Sequence, residues 1–255
     1  MLRSSLKALA LLGGLVLATP AAHAAGEEIH IPNANFSFNS VFGTFDRASA
    51  QRGFQVYSQV CSACHAMHLL SYRNLTELGL TPAQVAAIAS QVQIQDGPND
   101  EGQMFERPGR PSDRFRSPFP NPQAARAANN NALPPDLSVI AKARAGGANY
   151  IYALMTGYED PPAGMTLGDG MNYNRYFPGH QIGMARPLNP DQVEFADHTP
   201  GTVENMARDV ATFLAWAAEP ELEERRAMGI KLIVFLTLLA GLAYAVKRKV
   251  WANAH

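Results

Sequence analysis

The sequence predicts a mostly α-helical chain with long irregular loops and one C-terminal transmembrane helix. Three observations carry that expectation. Several segments repeat apolar residues at helical spacing, with no strand-rich region and no internal repeat. Gly229 to Val246 is almost entirely apolar and runs into Lys247-Arg248-Lys249. The only two cysteines among 255 residues lie in Cys61-Ser62-Ala63-Cys64-His65, the spacing of a c-type haem attachment site.

Residues 1–24 read as a cleaved secretory signal. Arg3 and Lys7 give a basic start, Ala8 to Ala18 an apolar run too short to span a bilayer, and Ala22-His23-Ala24 a small-residue cleavage site. The mature chain would begin at Ala25, in an oxidising compartment. A first helix is expected over Ala48–Val60, with Phe54 and Tyr57 sharing a face, leading directly into the cysteine motif. A second is expected over Thr81–Val92, with Thr81 as cap and Pro82 at the first helical position. Leu137–Arg144, Asn149–Thr156 and Thr202–Ala218 complete the set, so that residues 25–224 form one exported domain.

Gly97 to Asn131 and Pro161 to Pro200 are rich in proline and irregular. Loops of that length are either functional or disordered. A haem ring, burying much apolar surface, would organise chain that has little secondary structure of its own.

Residues 225–249 read as a membrane anchor with a basic flank, and 250–255 as a cytoplasmic tail. A spanning helix needs roughly 20 predominantly apolar residues, which Gly229–Val246 and its flanks supply. Lys231 can snorkel to the headgroups. The basic cluster after Val246 points to a cytoplasmic C-terminus. Arg225 and Arg226 on the other flank weaken that rule, and the export signal decides it. A buried core helix fits the length and the basic stop less well.

The whole-chain charge of −1 conceals an uneven distribution. Between Ala25 and Glu224, thirteen basic residues face all twenty-two acidic ones, a net charge of −9. Such a field disfavours nucleic acid and would steer a basic partner. For any one acidic cluster, solubility explains the charge equally well.

In the cysteine motif, two thiols would bond to the porphyrin edge and His65 would reach the iron as proximal ligand. A thioredoxin-like dithiol uses the same Cys spacing but belongs beside a βαβ pattern, which is absent from the sequence pattern. Structural zinc needs four ligands, and no second cysteine pair exists. A plain disulfide has no use for His65. For the opposite side of the iron, Met67 is too near in sequence, Met155 and Met206 fall on expected helices, and Met228 adjoins the membrane. Met104, Met165, Met171 and Met184 lie in loops, with His180 and His198 as rivals. Met184 stands in Ile182-Gly183-Met184-Ala185-Arg186-Pro187, where glycine permits close approach and proline stiffens the turn.

Several segments resemble the cytochrome c1 family of bacterial ubiquinol–cytochrome c reductase (bc1) complexes. They are Arg52-Gly53-Phe54-Gln55-Val56-Tyr57 before the cysteine motif, Asn129-Asn130-Asn131-Ala132-Leu133-Pro134-Pro135-Asp136-Leu137-Ser138, and Thr156-Gly157-Tyr158. Asn174-Arg175-Tyr176-Phe177-Pro178-Gly179 leading to Met184, and Phe213-Leu214-Ala215-Trp216-Ala217-Ala218-Glu219-Pro220-Glu221 before the anchor, complete them. The resemblance spans nearly the whole mature chain, in order.

It implies a class I cytochrome c-like haem domain with one covalent haem c bound through Cys61 and Cys64. It implies His65 and Met184 as axial iron ligands, and Arg144 and Tyr150 beside a propionate. Asn129, Pro134 and Pro135 would line the haem pocket. The implied function is relay of one electron from a Rieske iron–sulfur protein to a soluble cytochrome c, beside a cytochrome b subunit in a dimeric complex. That complex would sit in the bacterial inner membrane, with the haem domain periplasmic. The chain alone would make and break no substrate bonds. An independent membrane-tethered cytochrome shuttle, a membrane-anchored thiol–disulfide oxidoreductase and a haem peroxidase are the competing readings. Both cysteines being committed to haem, no disulfide is available.

Overall fold

The computed structural model describes residues 29–253. The expected export signal and its cleavage site before Ala25 lie outside the described residues, as does the end of the tail. The fold is mostly helical, as expected. Helices α1 (Arg47–Gln59), α2 (Pro82–Ser90), α3 (Pro122–Ala128), α4 (Ile140–Ala143), α5 (Gly147–Thr156), α6 (Val203–Ala218) and α7 (Leu222–Val250) follow in chain order. Two small antiparallel ribbons accompany them: β1 (Gln93–Asp96) with β2 (Phe105–Pro108), and β3 (Asn172–Tyr173) with β4 (Gln181–Ile182).

Local chemistry explains most helix starts. The Asp46 carboxylate accepts from the Ser49 amide at 3.1 Å to open α1. Before α2, Thr81 Oγ1 accepts from the Gln84 amide at 3.3 Å while Gln84 Oε1 accepts from the Thr81 amide at 2.8 Å. Pro82 occupies the first turn, whose amides have no helical partners, so its missing N–H costs nothing there. Thr202 Oγ1 accepts from the Asn205 amide at 3.1 Å at the start of α6.

Two expectations need correction, and one element was not expected. The stretch 97–131 is not one irregular loop, because it carries β2 and α3, the latter opened by Asn121 Oδ1 accepting from the Ala124 amide at 2.8 Å. The helix expected over Leu137–Arg144 shrinks to the single turn of α4, because residues 136–138 are bonded elsewhere. A 3-10 helix over Tyr72–Leu78, which periodicity did not indicate, closes with Gly79 in the left-handed region at φ 93°.

The core forms where α1 crosses α6, the most extensive contact between elements. Gly53 sets how closely they approach: a Cβ there would lie 2.0 Å from the Asp209 carbonyl oxygen. Around the crossing, Phe213 meets Phe54 and Tyr57 at ring centroid distances of 5.7 and 5.8 Å, and Trp216 at 5.8 Å. The one buried carboxylate of the crossing, Asp209, is 2 % exposed. It accepts from Ser49 Oγ at 2.6 Å and from Arg52 Nε and Nη2 at 2.7 and 3.0 Å. A buried charge needs this degree of pairing, since loss of one partner leaves the other desolvated.

Helix α7 is the one described helix long and apolar enough to cross a membrane, and none of its apolar stretch is buried among the described residues. At 29 residues it extends about 44 Å. Its first turns are tied to the N-terminal segment. Glu223 accepts from the Phe45 amide at 2.7 Å and from Arg47 Nη2 at 3.0 Å. Arg226 Nη1 donates to the Phe38 and Gly43 carbonyls at 2.8 and 2.9 Å.

The β1–β2 ribbon is held by Arg107, whose guanidinium pairs with Asp96 and with both oxygens of Asp113, the latter at 2.7 and 3.0 Å. Hydrogen bonding to Arg107, opposed by burial and aided by the Arg110 amide, holds the Asp113 carboxyl down at about 2. A depressed carboxyl contributes stability above its unfolded pKa of about 3.9 and loses it as pH falls through the folded value. The ribbon is therefore expected to open as pH drops from about 4 towards 2. Amide exchange of residues 93–108 should accelerate over that window; protection unchanged at pH 2 would contradict the assignment.

Candidate functional site

The cysteine motif begins where α1 ends. A 3-10 turn over Cys61–Ala63 follows, with the Cys64 and His65 amides both donating to the Cys61 carbonyl, at 3.1 and 2.9 Å. Cys61 packs against the core, whereas Cys64, the cap of the turn, is exposed. Both thiols are free. Burial, with the adjacent Cys64, pushes the Cys61 thiol up to about 12. That is opposite to the lowered value of a reactive redox dithiol.

His65 is half-buried, and its Nδ1 lies 2.8 Å from the Pro135 carbonyl oxygen. A carbonyl can only accept, so Nδ1 carries the proton and Nε2 keeps its lone pair. That is the tautomer a metal-ligating imidazole needs, with its other nitrogen fixed by a backbone partner. Burial outweighs the Pro135 bond and holds His65 below the usual imidazole range, which keeps the ring neutral. The residues thus fit a c-type haem: two free thiols at the two ends of one tight turn, followed at once by an imidazole locked to present Nε2.

The segment that holds His65 is itself laced to the motif. The Leu137 amide donates to the Ala66 carbonyl at 2.9 Å, and the Leu69 amide to the buried Ser138 Oγ at 3.1 Å. Asp136 accepts from the His68 and Ser138 amides, each at 2.8 Å. Burial opposes ionisation of Asp136, but the bonds from Ser138 and His68 prevail and hold its carboxyl below the ordinary range. Upstream, Asn129 caps α3, its Nδ2 donating to the Ala125 carbonyl at 2.7 Å, and is half-buried. Pro134 is half-buried and Pro135 exposed.

Met184 follows β4 and is half-buried. Its carbonyl accepts from the hydroxyl of Tyr158 at 3.0 Å, and Tyr158 is only 8 % exposed. Arg186 returns a guanidinium bond to the Tyr158 carbonyl. A Cβ on Gly183 would lie 3.3 Å from the Ala132 Cβ, so the Met184 loop abuts the segment carrying Asn129, Pro134 and Pro135. Buried Asn174 braces the far side of the loop, donating to the Leu154 carbonyl at 2.8 Å and accepting from the Tyr176 amide at 3.0 Å.

Arg144 caps α4, is exposed, and makes no ion pair among the described residues. Tyr150 is 8 % exposed, and burial raises its phenol while Arg144 pulls the other way. Burial, with Tyr150 beside it, likewise raises Tyr158. Tyr150 and Tyr158 are both buried, and Tyr158 ties down the Met184 loop through its hydroxyl.

The structure joins Cys61, Cys64, His65, Pro134 and Pro135 directly, and brings Asn129 and Met184 to them through Ala132 and Gly183. Arg144 closes α4, and Tyr150 lies within α5. A cleft of about 790 Å³ lies beside the motif, lined by Cys64, His68, Pro134 and Pro135 but by neither His65 nor Met184, so it flanks the site. Of the other methionines, Met67 and Met206 are fully buried in the core, and Met104 and Met171 stand 55 % and 44 % exposed. His198 is exposed, and His180 stacks on Tyr173. Sequence reasoning assigned no role to Tyr158 or Ser138; the Asp-Leu-Ser run after the two prolines is the turn signal that could have flagged Ser138.

A family model described as "Cytochrome C1 family" matches residues 36–254. The chain is 50 % identical over 225 residues to "Cytochrome c1, heme protein, mitochondrial" of Schizosaccharomyces pombe, covering 88 % of this chain and 73 % of that protein. It is 49 % identical over 229 residues to "Cytochrome b-c1 complex catalytic subunit, mitochondrial" of Candida albicans, covering 89 % and 80 %. It is 48 % identical over 246 residues to "Cytochrome b/c1" of Bradyrhizobium diazoefficiens, covering 88 % of this chain and 36 % of that longer protein.

Proposed function

The chain belongs to the cytochrome c1 family, the electron-transfer subunit of the cytochrome bc1 complex, and on that premise we propose that it relays one electron from a Rieske iron–sulfur protein to a soluble cytochrome c. The observation that carries the reading is the His65 Nδ1 bond to Pro135 at 2.8 Å beside two free cysteines. Haem c, when bound, supplies a one-electron couple at its iron. Cys61 and Cys64 would hold the group covalently, and His65 would offer Nε2 to its iron. Met184, on a loop fixed by Tyr158 and Gly183, would offer its thioether as the second iron ligand. A thioether ligand raises the potential and favours electron transfer.

Arg144 and Tyr150 would hold a propionate, the guanidinium giving the forked bonds a carboxylate accepts best. Asn129, Pro134 and Pro135 would line the haem pocket. The raised Cys61 thiol weighs against a thiol–disulfide enzyme. Residues 1–24 export the chain, 25–224 form the periplasmic domain, 225–249 anchor it in the bacterial inner membrane, and 250–255 remain cytoplasmic. The anchor keeps the domain beside a cytochrome b subunit in a dimeric complex, and the exported charge of −9 steers a basic acceptor.

Gentle detergent extraction tests the assignment to a complex. The chain is expected to co-purify with b-type haem and an iron–sulfur protein. Its recovery alone, with covalent haem, would instead identify a tethered shuttle.

A further inference from the structure

We propose that Val41 and Phe42 form a membrane-interface wedge, a second contact with the outer leaflet beside the anchor helix. Among the described residues, these two are the most exposed large apolar side chains outside α7 and its flank, at 70 % and 80 %. They stand at the tip of a rigid turn. The Gly43 amide donates to the Ser40 carbonyl at 3.0 Å, and Ser37 Oγ donates to the Thr44 carbonyl at 2.7 Å. A Cβ on Gly43 would come within 2.1 Å of the Ser37 carbonyl, so the turn is tight enough to require glycine.

Its position is what assigns the occupant. Arg226 of α7 donates to the carbonyls on both sides of the turn, Phe38 and Gly43. Arg226 stands three residues before Gly229, where the apolar run begins, a rise of about 4–5 Å. The headgroup zone on each side of a bilayer is roughly 5–8 Å deep, the difference between the total and hydrocarbon thicknesses. The turn pinned to Arg226 therefore lies in that zone, and its two apolar side chains reach the acyl boundary. Interfacial apolar faces bury about 5–10 Å into this layer. At the opposite end of α7, Lys247 lies over the Trp251 ring at 5.9 Å, a basic–aromatic pair suited to the other interface. A single helix fixes depth but leaves tilt to its neighbours and interfacial anchors. A second contact, offset from the helix and bonded to its base, fixes the angle at which the domain stands over the membrane.

The wedge rests on the reading of α7 as a membrane anchor, and the test separates the two. Phe42 is replaced by the photoreactive p-benzoylphenylalanine in the full chain, in native membranes, with the same label at Leu238 of α7 and at Leu69 on the domain surface. Irradiation is followed by mass spectrometry of the adducts. Phospholipid adducts are expected at positions 42 and 238, and none at 69. Adducts at 238 without any at 42 would overturn the wedge alone, and adducts at 42 on another protein subunit would replace lipid by a protein neighbour. Lipid adducts at neither 42 nor 238 would overturn the anchor with it. In oriented membranes, Phe42→Asp is expected to broaden the haem-plane orientation without loss of covalent haem; an unchanged orientation would remove the tilt-setting role.

Discussion

Met184→Leu is expected to leave haem attached through Cys61 and Cys64 while lowering its reduction potential and abolishing quinol-driven reduction of soluble cytochrome c. Leucine and methionine are close in volume, and such swaps usually cost less than about 1.5 kcal/mol. The loop does not depend on the Met184 side chain for its course, since the backbone is held by Tyr158 at the Met184 carbonyl and by the Gly183–Ala132 approach. What disappears is the thioether sulfur. Axial ligands tune haem potentials over a range of about 0.8 V, so the fall should be large on a redox titration. An unchanged potential would move the distal ligand elsewhere and undo the Met184 assignment.

Asp209→Ala is expected to produce a large loss of stability at the α1–α6 crossing. The carboxylate is 2 % exposed and receives three hydrogen bonds, two of them from Arg52. Alanine leaves Arg52 with only Asp197, at 2.8 Å and half in solvent, and leaves Ser49 buried without its acceptor. Breaking a buried ion pair from one side costs about 3–5 kcal/mol. For a domain of this size that corresponds to a fall in melting temperature of roughly 6–20 °C. Thermal unfolding of the detergent-solubilised holoprotein measures it. A shift within 1 °C or so would mean that the pair is not a principal tie between the helices.

The parts of the molecule legible in the sequence are those whose chemistry is local. Thr81 and Pro82 announced α2, because capping needs only residues within one turn, and the apolar spacing of residues 203–216 announced α6. The anchor was legible because apolar length and a basic stop suffice. The attachment turn was legible because haem chemistry demands two thiols and an imidazole at fixed spacing. What sequence left open was decided by distant partners. The β1–β2 ribbon alternates polar residues with little apolar signal, and its fixing charge, Asp113, lies beyond both strands. The Asn121-Pro122 start of α3 was present but lost among surrounding prolines. Residues 136–138 refuse the helix expected of them because Asp136 and Ser138 bond to residues 68 and 69. Among the four loop methionines, spacing could not choose, and Met184 is proposed from the family resemblance. Its loop is tied down by a buried phenol, Tyr158, 26 residues away.

Rapid mixing of the detergent-extracted assembly measures the relay itself. With quinol supplied and no acceptor, the c-haem absorbance should become reduced. On addition of oxidised soluble cytochrome c, it should reoxidise at the rate at which the acceptor is reduced. Reduction of the acceptor while the haem on Cys61 and Cys64 stays oxidised would contradict the account.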